Sequence, residues 1–234
     1  MAQRPIFIPS LEGYPYAKEV KLEFEWYAGF SKKQVQRSIG SLHEAASKKG
    51  ITPVLEISSK SPDPIGVSLS AFNLRLRMLN NPEMPVECAF QGSKVFEHGG
   101  PYTDLYRATS RDAKTDERIR SSGVLIGFRF LNEEFPLQPA TAFYDWLYLN
   151  ALWQNPDLSS KLTRYNGFTD IAFNPDKSLN CQARSAALFV ALKHTGLLQE
   201  AMKDKLCYIK LISGENVVIQ NQPHSSNGQI VLPI

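Results

Sequence analysis

The sequence predicts a single, mainly helical α+β domain with short strands. Two observations support this class: apolar residues recur at helical spacing in several segments, and short alternating or apolar runs lie between those segments. Of the 234 residues, 43% are hydrophobic and 21% are charged, so the chain is long and apolar enough to bury a sizeable core. We expect an N-terminal extension over residues 1–54, a catalytic core over residues 55–200, and a C-terminal hairpin and tail over residues 201–234 packed on that core.

The N-terminal extension carries a strand signal followed by a helix signal. Residues 22–26 alternate apolar and charged side chains, which predicts a half-buried strand. Ser31 and Gln34 form a capping box, and the helix after them stops at Gly50. The apolar face of this helix consists of Val35, Ile39, Leu42 and Ala46. His43 on the same helix is expected to be a surface or packing residue, not a catalyst.

The core shows short strands and then several helices. Residues 55–58 predict a strand, residues 66–74 begin as a second strand, and Pro85 precedes a helix over about residues 86–96. Three later segments have helical patterns, at residues 141–154, 157–165 and 180–194. The tail predicts a hairpin over residues 206–220 that turns at residues 213–216.

Charge, cysteine content and hydropathy narrow the classes of function. The net charge of +3 is too small to indicate a tight, non-specific nucleic-acid binder. Cys88, Cys181 and Cys207 form no disulfide framework, and no cysteine or histidine spacing resembles a metal site. The N-terminus lacks the apolar core of a signal peptide, and no apolar run approaches the ~20 residues of a membrane span. We therefore expect a cytoplasmic protein without metal, cofactor or membrane partner.

The segment Val-Glu-Cys-Ala-Phe-Gln-Gly-Ser-Lys at residues 86–94 is the first candidate for chemistry. Helical spacing of ~100° per residue places Glu87, Gln91 and Lys94 in one column on the predicted helix. An exposed helix with a weak ion pair is the plain alternative. The surrounding apolar residues favour a buried helix instead, and buried charged groups need partners or a chemical role.

Three further segments carry polar or aromatic groups in suggestive positions. Asp170 lies in an aromatic loop, and Asn180 is placed to cap a helix that also carries Arg184; an ordinary cap is the alternative. Lys60 lies among three serines, where it could face a phosphate or react as an amine, although a hydroxyl-rich turn is usually only a turn. The aromatic residues of segment 141–152 are expected to form core and not a ligand platform.

Taken in order, these segments resemble the NADAR family of N-glycosidases, particularly the antitoxins associated with DarT-type toxins. The family's helix motif stands intact here as Glu87, Phe90, Gln91 and Lys94. Its Ser-Asn-Phe element appears as Ser-Ala-Phe-Asn at residues 70–73, its aspartate loop contains Asp170, and its final helix start lacks the usual Leu-Gly pair at residues 180–184. The resemblance covers roughly residues 55–195.

The resemblance implies removal of ADP-ribose from guanine in DNA, with ADP-ribose as product and a cognate DarT-type toxin as a possible partner. It implies catalytic roles for Glu87, Lys60 and Asp170. It implies substrate-binding roles for Ser59, Ser70, Phe72, Asn73, Gln91, Lys94, Tyr102, Asn180 and Arg184. Two other functions stay open: an N-glycosidase of ribosylamino-pyrimidine intermediates of riboflavin synthesis, and a non-catalytic module that binds ADP-ribose or the toxin.

The roles of these residues can be narrowed by physical argument. We expect Asp170 to support the ribose in the same pocket as Glu87, and Asn180 and Arg184 to hold the diphosphate or a neighbouring part of the nucleotide. Either lysine could form a Schiff base with the sugar. A carboxylate near Lys94 would raise its pKa, whereas burial of the stem of Lys60 would lower the pKa of that amine. We therefore expect Lys60 to be the Schiff-base residue.

Overall fold

The computed structural model describes residues 1–78, 81–176 and 178–215. The strands are β1 Ala2–Pro9, β2 Ala17–Phe24, β3 Val54–Glu56, β4 Arg75–Met78, β5 Asn81–Pro85, β6 Lys94–Phe96, β7 Leu125–Phe130, β8 Glu133–Phe135 and β9 Gly167–Thr169. The α-helices are α1 Lys32–Ser47, α2 Pro64–Ser68, α3 Val86–Gly92, α4 Ser110–Thr115, α5 Arg118–Ser121, α6 Ala142–Trp153, α7 Pro156–Ser159, α8 Gln182–His194, α9 Leu198–Ala201 and α10 Lys205–Ile212. The 3₁₀ helices are Thr103–Arg107 and Ser160–Arg164. This mixture of helices and short strands confirms the predicted α+β class.

The described residues divide into two compact units. The first unit comprises residues 1–73 and 155–198, and the second unit comprises the described residues between 74 and 154 and between 199 and 215. The division into an extension, a core and a tail stays a prediction.

The first unit is built on a four-stranded sheet in the order β2-β1-β9-β3. β1 is antiparallel to β2 and β9, and β9 is parallel to β3. Side chains from β1, β2, α1 and the segment after β9 form a buried core of Ile6, Leu22, Phe24, Ile39, Leu42, Ala46 and Ile171. Within residues 22–24 the apolar side chains are buried and Glu23 is exposed, as the alternation predicted.

The boundaries of α1 agree with its capping signals. The side chain of Ser31 accepts a hydrogen bond from the backbone N–H of Gln34 at 3.3 Å. This bond satisfies one of the N–H groups that have no partner within the helix. Two residues beyond the C-cap, Lys48, the chain turns at Gly50 with φ +77°, a conformation that glycine adopts without steric cost.

Two predictions on the first unit are wrong. Residues 64–68 form helix α2 and not a strand, because Asp63 caps the N–H of Ile65 at 2.9 Å and Pro64 occupies the first helical turn. Helix α8 begins at Gln182, and its N-cap is Cys181 without a side-chain cap bond. Asn180 is therefore not the cap.

The second unit has an aromatic core. Helix α6 buries every residue from Ala142 to Leu152, and Phe143 lies 4.6 Å from Phe128 and 4.8 Å from Phe135 between ring centroids. The latter two rings belong to the antiparallel sheet β6-β7-β8. The aromatic residues of α6 thus form core, as predicted.

Helix α3 is shorter than predicted, because it ends at Gly92 and the chain continues as strand β6. Glycine has a low helix propensity, and Lys94 pairs with Phe128 of β7 instead of extending the helix. Lys94 therefore lies on a strand and not in a helical column with Glu87.

The start of the predicted C-terminal hairpin is also wrong. Residues 205–212 form helix α10, whose N-cap Asp204 accepts from the N–H of Cys207 at 2.8 Å. Its buried residues, Tyr208 and Leu211, are three positions apart, which is helical and not strand spacing. Residues 216–220 of the predicted hairpin lie outside the described residues. Within the described part of the chain, every helix is too short or too polar to cross a lipid bilayer.

Candidate functional site

A buried carboxylate–amide pair lies on helix α3 in the second unit. All seven residues of the helix are buried, and Glu87 is only 6% exposed. Gln91 Nε2 donates to Glu87 Oε1 at 2.9 Å, as expected for side chains one turn apart. Glu87 also lies in the first helical turn, where the helix dipole favours negative charge. The predicted pairing of Glu87 and Gln91 on a buried helix is confirmed.

Lys94 completes this group from strand β6. Its Nζ lies 4.8 Å from the centroid of the Phe90 ring. Burial lowers the pKa of Lys94 to about 8, although the Glu87 carboxylate acts in the opposite direction and Lys114 adds a smaller lowering. The expectation that Glu87 would determine the protonation of Lys94 is therefore wrong, since the desolvation cost of the ammonium is larger. We call Glu87, Phe90, Gln91 and Lys94 the Glu87 cluster.

One acceptor of the Glu87 cluster is unsatisfied. Among the described residues, the buried Gln91 Oε1 has no hydrogen-bond partner. Most buried polar atoms in proteins are paired, so an unpaired one requires an explanation such as a ligand donor. Phe90, the residue before Gln91, packs against Tyr144 with ring centroids 5.1 Å apart and against Phe128 at 5.5 Å.

Tyr102, a predicted substrate-binding residue, is held from two sides in the second unit. The Arg118 guanidinium lies 4.5 Å from its ring centroid, and its hydroxyl is hydrogen-bonded to Ser122. Arg118 in turn pairs with Asp104 at 2.7 Å and with Asp116 at 2.9 Å. The orientation of the Tyr102 ring is thus fixed by a network of charged side chains.

Asp170, in the first unit, directly follows strand β9. Its Oδ1 accepts from the N–H of Ala172 at 3.1 Å, and its Oδ2 accepts from Gln182 Nε2 at 3.0 Å. Gln182 Nε2 also donates to the carbonyl of Ile57 at 2.6 Å, and Gln182 Oε1 accepts from the N–H of Ala71 at 2.7 Å. One amide at the start of α8 therefore ties Asp170 to two other segments. Placement of Asp170 beside Glu87 stays a prediction.

Glu56 holds the residues on both sides of Asp170. It is 1% exposed, and its Oε2 accepts from the Thr169 hydroxyl at 2.7 Å. The N–H of Ile171 donates to the same carboxylate, with N–O distances of 3.0 and 3.2 Å. Burial raises the pKa of Glu56, and the hydrogen bonds from Ile171, Thr169 and Ser58 offset part of that effect. We call Glu56, Thr169, Asp170 and Gln182 the Asp170 cluster.

His43 extends the Asp170 cluster towards α1. Its Nε2 lies 2.9 Å from the hydroxyl oxygen of Thr169, and burial lowers the pKa of its imidazole to about 4. A neutral ring with one hydrogen-bonded nitrogen is a packing residue, in agreement with the sequence prediction.

Sequence reasoning did not identify Glu56 or Gln182 as functional candidates. Glu56 lies between the apolar residues Leu55 and Ile57, a position that alternation assigns to the solvent face of a strand. Gln182 lies within the quoted motif at residues 180–184, but a glutamine in a first helical turn is common. A polar side chain such as Glu56 within an otherwise apolar segment is the sequence feature that could have indicated a buried polar network.

The turn at residues 58–61, which we call the lysine turn, differs from its prediction. Ser58 and Ser61 are buried, whereas Ser59 and Lys60 are exposed. The hydroxyl oxygen of Ser58 accepts from the N–H of Lys60 at 3.3 Å, and that of Ser61 accepts from the N–H of Asp63 at 3.2 Å. The two buried serines therefore shape the turn and do not hold the lysine amine. The expected burial of Lys60 is wrong.

The Ser-Ala-Phe-Asn element follows helix α2. The hydroxyl of Ser70 and the side-chain amide of Asn73 both donate to the carbonyl of Val67, at 2.9 and 2.8 Å. Both groups thus satisfy a carbonyl near the helix end. Ser70 is buried, Asn73 is exposed and Phe72 is half-buried.

Asn180 and Arg184 lie at the start of α8. Arg184 is half-buried in the first turn of the helix. Among the described residues, the buried Asn180 Oδ1 has no hydrogen-bond partner. Burial, with the charge of Asp170 as the next contribution, raises the pKa of the neighbouring Cys181 thiol well above its ordinary value, so this thiol is not an activated nucleophile.

The chain was compared with known families and proteins. The family model of the DarT1-associated NADAR antitoxin matches residues 2–222. The match extends over nearly the whole chain and includes both the Glu87 cluster and the Asp170 cluster. The comparison with curated proteins gives no match.

Proposed function

The chain belongs to the family of DarT1-associated NADAR antitoxins, and from this premise we propose that it removes ADP-ribose from guanine in DNA by N-glycoside hydrolysis. The reaction would reverse the modification made by a DarT1-type toxin. Its products would be ADP-ribose and an unmodified DNA strand.

The observation that carries this proposal is a buried carboxylate, Glu87, whose charge acts on a lysine that is easily deprotonated, Lys94. With a pKa of about 8, about a quarter of the Lys94 side chains are neutral at pH 7.5, against about a thousandth for an ordinary lysine. A neutral amine is the nucleophile that attacks an imine carbon. Glu87 supplies a carboxylate near that amine, and carboxylates transfer protons in glycoside chemistry.

The reaction begins with opening of the ribose ring. The bond between the ring oxygen and the anomeric carbon breaks, the ring oxygen gains a proton, and the guanine nitrogen loses one. The anomeric carbon is then joined to the guanine nitrogen as an imine. In this proposal Glu87 carries the proton between the two atoms, and Gln91 keeps the carboxylate oriented through its 2.9 Å hydrogen bond.

Lys94 then exchanges with guanine at the anomeric carbon. Its neutral amine adds to the imine and gives one proton to the guanine nitrogen. The bond from the carbon to guanine breaks, guanine leaves with a second proton from the lysine nitrogen, and a lysine imine remains. One water hydrolyses this imine, which restores the free amine and releases ADP-ribose. Lys94 replaces Lys60 in this role, because Lys60 is exposed and has no comparable burial.

Asp170, Asn180 and Arg184 are proposed to bind the rest of the substrate. The Asp170 carboxylate accepts hydrogen bonds, which suits the paired hydroxyls of a ribose. Arg184, in the first turn of α8, suits a diphosphate, because a guanidinium binds phosphate oxygens through two parallel hydrogen bonds. Asn180, whose Oδ1 is buried and has no hydrogen-bond partner among the described residues, is proposed to bind a neighbouring part of the nucleotide.

The direct test is incubation of the protein with a single-stranded oligonucleotide that carries one ADP-ribosylated guanine. Mass spectrometry should detect stoichiometric release of ADP-ribose and the unmodified strand. A ribosylamino-pyrimidine substrate should be cleaved far more slowly. Binding of the modified strand without release of ADP-ribose would contradict the proposal and favour a non-catalytic binding module.

The reacting lysine is tested by reductive trapping. Cyanoborohydride added during turnover should fix the sugar on Lys94, which peptide mass analysis would locate. Lys94→Arg should abolish trapping, and the matched change Lys60→Arg should retain it. An adduct on Lys60 would reverse the assignment, and full turnover with no adduct on any lysine would favour direct attack by a water that Glu87 activates.

A further inference from the structure

A surface of aromatic and basic side chains lies at the start of α1 in the first unit. Phe30 is 100% exposed and Trp26 is 39% exposed. Lys32, Lys33 and Arg37 are exposed beside them in the sequence. Single exposed apolar residues are common on proteins, but these two rings lie close in sequence to three exposed basic side chains. We call Trp26, Tyr27, Phe30, Lys32, Lys33 and Arg37 the α1 strip.

Hydrogen bonds to α1 fix the aromatic part of the α1 strip. The hydroxyl oxygens of Ser38 and Ser41 accept from the backbone N–H groups of Tyr27 and Glu25, each at 3.0 Å. The backbone at Glu25 and Tyr27 is therefore fixed along the helix, which keeps the segment that carries the rings next to the start of α1.

Two cations stack on these rings. The Arg37 guanidinium lies 3.9 Å from the centroid of the Tyr27 ring, and that of Arg4 lies 5.5 Å from the centroid of the Trp26 ring. Cation–π pairs of this kind order long basic side chains at the surface. The α1 strip thus combines ordered positive charge with flat apolar rings.

The lysines at the start of α1 oppose a local rule of helix stability. The first turn contains no acidic residue, although the helix dipole favours negative charge there and disfavours Lys32 and Lys33. Between residues 25 and 37 the sequence has one acidic side chain, Glu25, which accepts from the Tyr27 hydroxyl at 2.7 Å. A local conflict of this kind is expected at functional surfaces.

The α1 strip continues into the lysine turn of the first unit. Gln36 Nε2 donates to the backbone carbonyls of Lys60 and Ser61, at 3.2 and 3.4 Å. The exposed side chain of Lys60 therefore extends the positive surface beyond the N-terminal half of α1.

We propose that the α1 strip binds single-stranded DNA, with bases stacked on Phe30 and Trp26 and phosphates held by Lys32, Lys33 and Arg37. Exposed rings interleaved with cations are how proteins bind unpaired strands, because every base has a face that can stack. Duplex DNA keeps its bases stacked on each other and offers only phosphates. The choice of DNA over RNA rests on the proposed function. The stacking of bases on the exposed rings does not depend on that function.

The experiment measures fluorescence anisotropy of the full-length protein with a labelled, unmodified single-stranded oligodeoxynucleotide. Phe30→Ala should weaken binding roughly 5- to 100-fold, the range for loss of one base–aromatic stack. Lys32→Ala/Lys33→Ala should reduce the slope of log affinity against log salt by about 1.4, since each phosphate contact on a single strand contributes about 0.7. An unlabelled duplex of equal length should compete weakly.

The matched control is Lys48→Ala/Lys49→Ala, which removes the same charge at the other end of α1, about 24 Å away along the helix. This double variant should keep the wild-type salt slope. Equal slopes for the two double variants, or competition by the duplex as strong as by the single strand, would overturn the proposal. Unchanged DNA affinity in Phe30→Ala would also overturn it.

Failure of this inference can be told apart from failure of the proposed function. The oligonucleotide is unmodified, so binding through the α1 strip does not require catalysis. Binding as described without release of ADP-ribose from a modified strand would refute the glycosidase alone. Release of ADP-ribose with identical rates in the wild type and in Phe30→Ala, at strand concentrations below saturation, would refute the role of the α1 strip alone.

Discussion

The Glu87 cluster and the Asp170 cluster lie in different units, and they differ in how completely their polar atoms are paired. Every side-chain oxygen and nitrogen of Glu56, Thr169, Asp170 and Gln182 has a hydrogen-bond partner. In the Glu87 cluster, Gln91 Oε1 has none among the described residues, and Lys94 places its amine against the face of Phe90.

This difference separates two kinds of polar site. A fully paired buried network fixes the geometry of a loop, since breaking any bond leaves an unsatisfied group. An unsatisfied acceptor beside a lysine of lowered pKa is typical of a site that binds or reacts. We therefore expect changes in the Glu87 cluster to affect turnover more than stability, and changes in the Asp170 cluster to affect stability first.

The largest expected effect is on turnover in Glu87→Gln. The substitution keeps the shape of the side chain and removes its ability to carry protons, so the rate should fall ~10²- to 10⁴-fold, the contribution of one general acid–base group. Steady-state release of ADP-ribose measures this, and unfolding in urea should show little loss of stability. The matched change Glu83→Gln, on an exposed carboxylate paired with Arg77, should keep wild-type turnover. Retention of more than a tenth of the activity in Glu87→Gln would remove Glu87 from the mechanism.

The next largest effect is a loss of folding stability in Glu56→Leu. Leucine leaves the Thr169 hydroxyl and the Ile171 N–H without their acceptor, and each lost partner costs ~1–3 kcal/mol. The free energy of unfolding in urea should fall by about 2–4 kcal/mol. Glu56→Gln keeps one acceptor oxygen and should cost about 1 kcal/mol or less, as burial already raises the pKa of this carboxyl.

The control for these variants is Glu19→Gln, at an exposed position of β2, which should leave the unfolding curve unchanged. If Glu56→Leu unfolds at the same urea concentration as the wild type, the Asp170 cluster does not stabilise the fold.

The residues of the two clusters also differ in how far the sequence predicts them. Glu87 and Gln91 are four positions apart, and that spacing predicts that they lie on one face of a helix, within reach of each other. Glu56 bonds to Thr169 and Ile171, which lie 113 and 115 positions later. No local pattern encodes such a pairing, because it exists only once β3 and β9 have paired.

The protonation of Lys94 could not be predicted for a related reason. The sequence shows that a carboxylate is near, but the desolvation that outweighs it comes from residues packed around β6 after folding. Lys60 was expected to be buried and is exposed. The strand before its turn does not determine whether the turn itself is buried. The α+β class and the start of α1 were predictable because they depend on local periodicity and capping.

A smaller effect is expected from His43 in acid. Burial lowers its pKa to about 4, while the unfolded value is about 6.5. Between these values the unfolded state binds more protons, so stability is lost as the pH falls from 6.5 towards 4. The loss should reach about 2–3 kcal/mol.

Urea unfolding across this pH range tests the assignment to His43. His43→Gln should flatten the pH dependence relative to the wild type, whereas His194→Gln, at an exposed position, should not. Glu56 titrates with the opposite sign because its pKa is raised, so the comparison between variants is the informative one. Equal slopes in all three proteins would contradict a buried, neutral His43.

The smallest effect concerns the pH dependence of turnover and how the charge of Lys114 changes it. With the pKa of Lys94 at about 8, kcat/KM should rise about tenfold per pH unit below pH 8 and level off above it, as the neutral amine becomes the dominant form.

Lys114 contributes to lowering this pKa, so Lys114→Gln should move the midpoint to higher pH by a few tenths of a unit at low salt, roughly the effect of one exposed charge. Lys210→Gln removes an equally exposed charge in the same unit and should leave the midpoint unchanged. A profile without a limb near pH 8 would mean that no neutral lysine enters the rate-limiting step, and the contrast between the reactive Glu87 cluster and the paired Asp170 cluster would then depend on Glu87 alone.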